Sequence, residues 1–330
     1  MNSMRRKGRK PKARSGKTLS VLFFLLAASF LIYTYCREHK ELISSIYKPA
    51  PANAYAMPAS SKVNFDSQEA ERPLLSIRSL DVGQGDCAFV TLPDNKFILV
   101  DGGDQEAGPK VRAYLEENGL TNIFCLIATH PHADHIGGLC EILKGVNVER
   151  VYMPGEKSGA TGDTKAYRNL LKALKKKGLS IKNAYAGTLL HSNDLYVCSF
   201  LAPEEHVYEK LNDTSACLLI VYGNHKALLP GDAEKTSELE MTEKYSDELQ
   251  DLTFLKVAHH GSRTSSTETF LRIAKPEVAF ISLGKDNDYK HPHKETMNRL
   301  ERWCGAIYRT DEEGSLEFVS DGENYEVKTN

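Results

Sequence analysis

The chain lacks several things that would point to other chemistries. Its seven cysteines are scattered, with no pair at metal-type spacing, and an odd count gives no disulfide framework. That is a poor match for a strongly oxidising secretory route but compatible with a Gram-positive-type surface. No Gly-x-Ser-x-Gly elbow occurs, so the usual strand-to-helix serine nucleophile is absent. No short-period repeat is present, and no basic motif interleaved with aromatics, of the kind that stacks single-stranded bases, is evident. The first 17 residues contain no acid, and Thr18 to Cys36 contains no charge at all.

Those last two absences define the N-terminus. Residues 1–17 hold eight Lys or Arg, and the remainder holds 34 basic against 44 acidic residues, a net charge of −10. The 19 uncharged residues of 18–36 would reach roughly 28 Å as a helix, close to the apolar thickness of a bilayer. The reading is a basic cytoplasmic tail (1–17), a single-pass anchor (18–36) and a catalytic domain outside the cytoplasm. A cleaved signal peptide is the rival, but the small-x-small Ala54-Tyr55-Ala56 lies far beyond the apolar run, and Arg37-Glu38-His39-Lys40-Glu41 intervenes. No lipid-attachment pattern precedes Cys36, since Thr34-Tyr35 is too bulky there. Residues 37–73, with Pro49-Ala50-Pro51, read as a linker or stalk, and a globular domain spans 74–330. With 41% hydrophobic and 26% charged residues, the composition is that of an ordinary folded protein.

Alternation predicts a strand over 75–82 and a hairpin of 87–92 with 96–100 around Pro93-Asp94-Asn95. A helix is expected over 108–118, closed by Gly119, then a buried strand over 123–129. Further helices are expected from 138, over 164–177, over 233–248 and over 294–303. Further strands are expected over 148–153, 216–222, 226–229, 252–258 and 278–283. Cys87, Cys125, Cys198 and Cys217 lie in apolar runs and read as core.

The chemistry concentrates where the strand 123–129 ends. His130-Pro131-His132-Ala133-Asp134-His135-Ile136-Gly137-Gly138 puts three imidazoles and a carboxylate within six positions. These are the usual ligands of zinc, manganese or iron, and a turn this dense can serve two neighbouring cations. This stretch resembles the signature of the metallo-β-lactamase-fold hydrolases. Asp81-Val82-Gly83-Gln84-Gly85-Asp86, Leu229-Pro230-Gly231-Asp232, Val257-Ala258-His259-His260-Gly261-Ser262 and His291-Pro292-His293 follow in the order seen in the hydrolase domain of ComEC-type DNA-uptake proteins. Whole proteins of that type carry many membrane spans and this chain shows one candidate, so the resemblance is to the hydrolase module alone.

The resemblance implies an α/β fold, a four-layer αββα sandwich with helices outside two facing sheets, behind an N-terminal transmembrane helix. It implies two divalent ions, Zn or Mn. His130 and His132 would hold the first; Asp134, His135 and His259 would hold the second, with Asp232 bridging. Asp101 would be a buried organiser, and His260 a supporting or structural neighbour. Many family members supply one more histidine to the first metal; here the equivalent region reads Leu211-Asn212-Asp213-Thr214-Ser215. That matches the ComEC-type pattern, weakens the first site, and makes Asn212 or Ser215 a candidate to fill the gap. His191 and His206 read as surface histidines.

The metals would activate a water and neutralise charge on the substrate, with Asp134 orienting the attack. His291 is a candidate substrate contact or proton donor. Ser262, Arg263, Thr264 and Ser265 offer donors suited to phosphate. Lys165, Arg168, Lys172, Lys175, Lys176, Lys177 and Lys182 cluster on or near one helix and read as its solvated face. The expected function is phosphodiester hydrolysis of DNA, in contact with DNA-uptake machinery. Hydrolysis of C–N or C–O bonds, as in β-lactams or lactones, is one alternative. A non-catalytic module binding nucleic acid or a partner is the other.

Overall fold

The computed structural model describes residues 72–160 and 164–329. The expected basic tail, anchor and all but the end of the stalk lie outside the described residues. Among the described residues, no helix is long and apolar enough to cross a membrane.

Fifteen strands form two sheets among the described residues. They are β1 (Leu75–Ser79), β2 (Ala88–Thr91), β3 (Phe97–Val100), β4 (Asn122–Ile127), β5 (Asn147–Met153), β6 (Ile181–Asn183), β7 (Leu189–Ser192) and β8 (Tyr196–Ala202). The rest are β9 (Cys217–Tyr222), β10 (His225–Leu229), β11 (Phe254–Lys256), β12 (Val278–Ile281), β13 (Ala306–Arg309), β14 (Leu316–Ser320) and β15 (Tyr325–Thr329). The first sheet runs β15-β14-β1-β2-β3-β4-β5-β6 and the second β13-β12-β11-β10-β9-β8-β7. Each is antiparallel at one end and parallel at the other: β3 to β6 are parallel neighbours in the first, β10 to β13 in the second. Parallel neighbours need long crossovers, and helices supply them. Six helices reach seven residues among the described residues: α1 (Gly108–Glu117), α2 (Leu139–Gly145), α3 (Lys165–Lys176), α4 (Lys235–Lys244), α5 (Glu268–Ala274) and α6 (Lys294–Trp303).

Three apolar layers hold this together. Ile77, Val90, Ile98 and Ile127 from one sheet meet Phe200, Ile220, Phe254 and Phe280 from the other. Leu115, Leu139, Ile142, Leu170 and Leu174 seal α1, α2 and α3 against the outside of the first sheet. Met241, Leu271 and Leu300 do so for α4, α5 and α6 on the second. The order is therefore helix, sheet, sheet, helix. Cys87, Cys125, Cys198 and Cys217 are buried and unpaired, as the apolar runs imply.

The expected helix over 233–248 is divided. It starts at Lys235, stops at Lys244, and a short turn Ser246–Leu249 follows Tyr245. Its first turn is capped from outside, because Asp213 Oδ1 accepts from Glu234 N (3.0 Å) and Ser237 N (3.1 Å). The Asp232 side chain is thus spared a capping role. The last strands were not expected: β14 pairs antiparallel with β1, so the end of the chain closes the first sheet.

Candidate metal centre

Parallel strands present their carboxyl ends on one side of a sheet, and the loops leaving β3, β4, β10 and β11 carry the histidine and aspartate candidate ligands, while Asn212 and Ser215 lie between β8 and β9. Asp101 follows β3, His130 to His135 follow β4, Asp232 follows β10, and His259-His260 follow β11. The loops are locked by close approach. A Cβ on Gly138 would lie 2.2 Å from Gly102 O, and one on Gly85 2.3 Å from Asp134 O. Asp86 N donates to Asp134 O at 3.1 Å.

The imidazoles are aimed through their second nitrogens. His135 Nδ1 donates to Asp101 Oδ2 at 2.7 Å. Asp101 also accepts from Thr129 N (2.8 Å) and Thr129 Oγ1 (2.6 Å), which leaves the Thr129 oxygen free to accept from His130 Nδ1 at 3.1 Å. His260 Nδ1 donates to Ser282 O at 2.9 Å. In His135 and His260 the tied Nδ1 orients the ring and leaves Nε2 without a hydrogen-bond partner, while His130 Nε2 is directed at His132 Nδ1. Asp101 is buried in the left-handed region at φ 59°, a conformation that an aspartate tolerates.

Those open atoms converge. Asp134, His135, Asp232 and His260 each place a ligand atom within 4.8 Å of the others. His135 Nε2 lies 3.2 Å from Asp232 Oδ1, and both are buried without a hydrogen-bond partner: they face a common point rather than each other. His260 Nε2 is likewise unpartnered, 3.3 Å from Asp134 Oδ2. A second focus lies alongside. His130 Nε2 and His132 Nδ1 are 3.0 Å apart, and His130 Nε2 is 3.8 Å from Asp232 Oδ2. Buried nitrogen and carboxylate atoms left unpaired in this way are costly unless something fills the space between them, and a divalent cation suits the donor set.

Charge in the cluster is polarised. Burial and the adjacent His135 hold His130 well below the usual imidazole range. Burial also opposes charge on His135 and His260, but Asp232 outweighs it, with Asp101 helping at His135 and Asp86 at His260. His135 rises well above its ordinary value and His260 to about 9. Burial opposes the charge on Asp232 as well, and His135 and His260 overcome it to hold that carboxyl well below its usual range. Without cations, protons on the imidazoles neutralise the acids.

The structure departs from the sequence reading at the paired histidines. His259 and His260 both have positive φ, 51° and 53°, a conformation costing a non-glycine residue about 1–3 kcal/mol. This double left-handed turn carries His260 inward and His259 aside. His260, 1% exposed, joins the four-residue cluster. His259 Nδ1 lies 3.1 Å from Thr264 Oγ1, its ring faces the Asn212 amide, and its Nε2 stays 3.8 Å from Asp232 Oδ2.

Asn212 is buried, gives its amide to Glu234 Oε1 at 3.0 Å, and keeps Oδ1 unpartnered. The Ser215 hydroxyl is consumed locally, donating to Asn212 O (2.7 Å) and accepting from Asp232 N (3.1 Å). Ser262 Oγ sits 3.0 Å from Thr264 Oγ1. His291 borders the centre, its ring centroid 5.6 Å from that of His259, with Nδ1 buried and unpartnered. Burial and the nearby His260 lower it to about 4, so it is neutral at pH 7. His206 pairs with Glu240 at 2.8 Å, and His191 lies beside Asp94 and Phe124.

Sequence reasoning gave no role to Asp86 and Lys256. Lys256, 3% exposed, is paired with Asp86, whose Oδ1 lies 3.5 Å from His260 Nδ1. Lys256 and the neighbouring imidazole outweigh burial and bring Asp86 down to about 2. The available signal was a lysine inside the apolar run Phe254-Leu255-Lys256-Val257, where a charge requires a partner.

Residues 80–285 match the family described as the Metallo-beta-lactamase superfamily. Among curated proteins, the chain is 32% identical to ComE operon protein 3 of Bacillus subtilis over 256 residues, covering 72% of this chain and 32% of that protein. It is 30% identical to Recombination protein 2 of Haemophilus influenzae over 254 residues, covering 76% of this chain and 29% of that protein. The chain therefore spans about a third of the length of these curated relatives. Among solved structures, Igni18, a metallo hydrolase from Ignicoccus hospitalis, aligns with a TM-score of 0.48 at 14% identity, over 74% of this chain and 98% of that one.

Proposed function

Since the chain belongs to the metallo-beta-lactamase superfamily, we propose that it is a metal-dependent phosphodiesterase that cleaves DNA. One observation carries the reading: the unpartnered His135 Nε2, His260 Nε2 and Asp232 Oδ1 face a common point beside the His130–His132 pair. When bound, divalent cations supply Lewis-acid polarisation of phosphoryl oxygens and bring the pKa of a water towards neutrality. His130 and His132 would hold one; Asp134, His135 and His260 the other; Asp232 would serve both. Asp134, with a side chain still 30% exposed, is the carboxylate that reaches the mouth of the site and orients the attacking water. His291 is neutral, lies beside the His259 and His260 rings with an unpartnered Nδ1, and would be the group to contact a substrate oxygen.

Phosphodiesters are preferred over β-lactams or lactones for two reasons. The first cation would be held only by His130, His132 and a share of Asp232, so a substrate phosphate oxygen would be needed to complete its shell. A further relative, 37% identical over 36% of this chain, is named Competence protein ComA, of Neisseria gonorrhoeae, which supports DNA as the substrate class. The same reading keeps residues 18–36 as an anchor, with the domain outside the cytoplasm and close to DNA-uptake machinery. It is supported by the eight cations before Thr18 and the uncharged run that follows. Protease added to intact cells tests that topology, and full protection of the domain would refute it.

The test of function is metal analysis of the purified chain, then assay on single- and double-stranded DNA and on a β-lactam. Asp134→Ala should remove most of a rate enhancement of at least ~10⁶-fold while leaving the circular dichroism spectrum unchanged. DNA hydrolysis at a normal rate by fully metallated Asp134→Ala protein would refute the mechanism.

A further inference from the structure

Helix α3 differs from the rest of the surface in charge. Residues 164–183 carry seven Lys or Arg and no acid, in a chain that is net −10 beyond residue 17. Elsewhere lysines meet carboxylates: Lys96 with Asp94, Lys110 with Asp81, Lys244 with Glu204, Lys275 with Asp251. On α3, Lys165, Lys172, Lys175 and Lys176 are exposed, and among the described residues no carboxylate pairs with any of them. At about 100° per residue these four share one face, opposite the buried Leu170 and Leu174. A purely solvated helix of this length gains from interspersed acids four residues away, and this one has none.

The helix is also joined to the metal centre. Thr164, its N-cap, accepts from Tyr167 N and donates to Pro131 O at 3.1 Å. Pro131 lies between His130 and His132. The lysine face therefore begins at the ligand loop and runs away from it for about 16 Å, the span of roughly five phosphates at about 3.4 Å per nucleotide of one strand.

We propose that this face of α3, with Lys165, Lys172, Lys175 and Lys176, is the track on which a nucleic-acid phosphate backbone lies as it enters the metal centre. The proposal deepens the phosphodiesterase reading and rests on it for direction, since the track leads to the cluster that would cut. It assigns the cations to backbone contact, so binding along it is salt-dependent and indifferent to sequence.

The experiment measures binding separately from cleavage. A labelled single-stranded oligonucleotide is titrated with the full chain in EDTA across a salt series, for wild type, for the quadruple Lys→Gln variant at the four positions, and for the matching Lys→Arg variant. The log–log salt slope should fall by about 2 to 3 in the Gln variant, at about 0.7 for each phosphate that is no longer neutralised, and return in the Arg variant. With metal restored, the ratio of DNA to bis(p-nitrophenyl) phosphate turnover should fall at least about tenfold in the Gln variant. An unchanged slope overturns the proposal, as does failure of the Arg variant to restore it. Lysine-dependent binding to phosphatidylglycerol vesicles with unchanged oligonucleotide affinity overturns it in favour of a membrane surface. If wild type cleaves no phosphodiester but the slope shifts as stated, the track stands and the catalytic reading falls.

Discussion

Asp101→Asn is the sharpest probe of the centre, because it changes one atom in a carboxylate that need not touch the metal. Asp101 is 1% exposed and accepts three hydrogen bonds, from Thr129 N, Thr129 Oγ1 and His135 Nδ1. An asparagine of the same shape keeps one acceptor oxygen. If that oxygen stays on Thr129 N, the new amide points at Thr129 Oγ1 and His135 Nδ1, both of which now donate. His135 answers by moving its proton to Nε2, the atom that faces Asp232 at 3.2 Å. The ring is then closed to metal unless it gives up that arrangement. Loss of a hydrogen bond to a charged group costs about 1.5–3 kcal/mol, and loss of such a partner typically lowers metal affinity by about 10–100-fold. Competitive titration with a chromogenic chelator should show that drop for the cation held by Asp134, His135, Asp232 and His260. Affinity within about twofold of wild type would sink the argument.

Three more outcomes are expected. His260→Ala should weaken metal binding by at least about tenfold more than His259→Ala; equal losses in a chelator titration would remove the distinction drawn between the two rings. Burial raises Glu238 from its ordinary 4.5 to about 7, against the N–H groups of Thr267 and Ser266 that favour its charge. The folded state keeps that proton between pH 4.5 and 7 while the unfolded chain has lost it, so stability falls by about 3 kcal/mol as pH rises across that window; Glu238→Gln should lack this slope in urea unfolding. Gly85→Ala places a Cβ against Asp134 O at a φ of +139°, and should cost about 1–3 kcal/mol, lowering Tm by about 2–4 °C per kcal/mol; an unchanged Tm would mean that the Asp86 and Asp134 loops are not locked together.

Much of this was legible because the signals are local. The run 123–129 is apolar on both sides, as a central parallel strand must be, and His130 to Gly138 keeps its chemistry within one turn. Helix α6 over 294–303 was readable from periodicity, and α1 from periodicity with Gly119 as its stop. What could not be read depends on contacts between distant segments. Asp213 caps α4 across 21 residues, so the Asp232 carboxylate, placed by sequence like an N-cap, takes no part in the cap. The expected strand 252–258 shortens to Phe254–Lys256, because the chain must turn sharply to reach His259 and His260. In a regular strand, successive side chains alternate, and that alternation underlies any sequence argument for one histidine over its neighbour. Two consecutive left-handed residues abolish the alternation, so local pattern does not say which of those rings turns inward. The C-terminal hairpin β14–β15 pairs with β1 across more than two hundred residues, a register that local pattern cannot encode.

The ligand loops leave different sheets: His130 to His135 follow the first, Asp232 and His260 the second. A cation held among them would cross-link two halves of the molecule that otherwise meet mainly through apolar packing. Occupancy at a hundred times the dissociation constant would add about 2.7 kcal/mol to the folded state. The supply of free metal around such a chain then governs its lifetime as well as its turnover. Scarcity would open the seam to proteases before activity is limited by chemistry, and the abundance of the protein would follow the metal content of its surroundings.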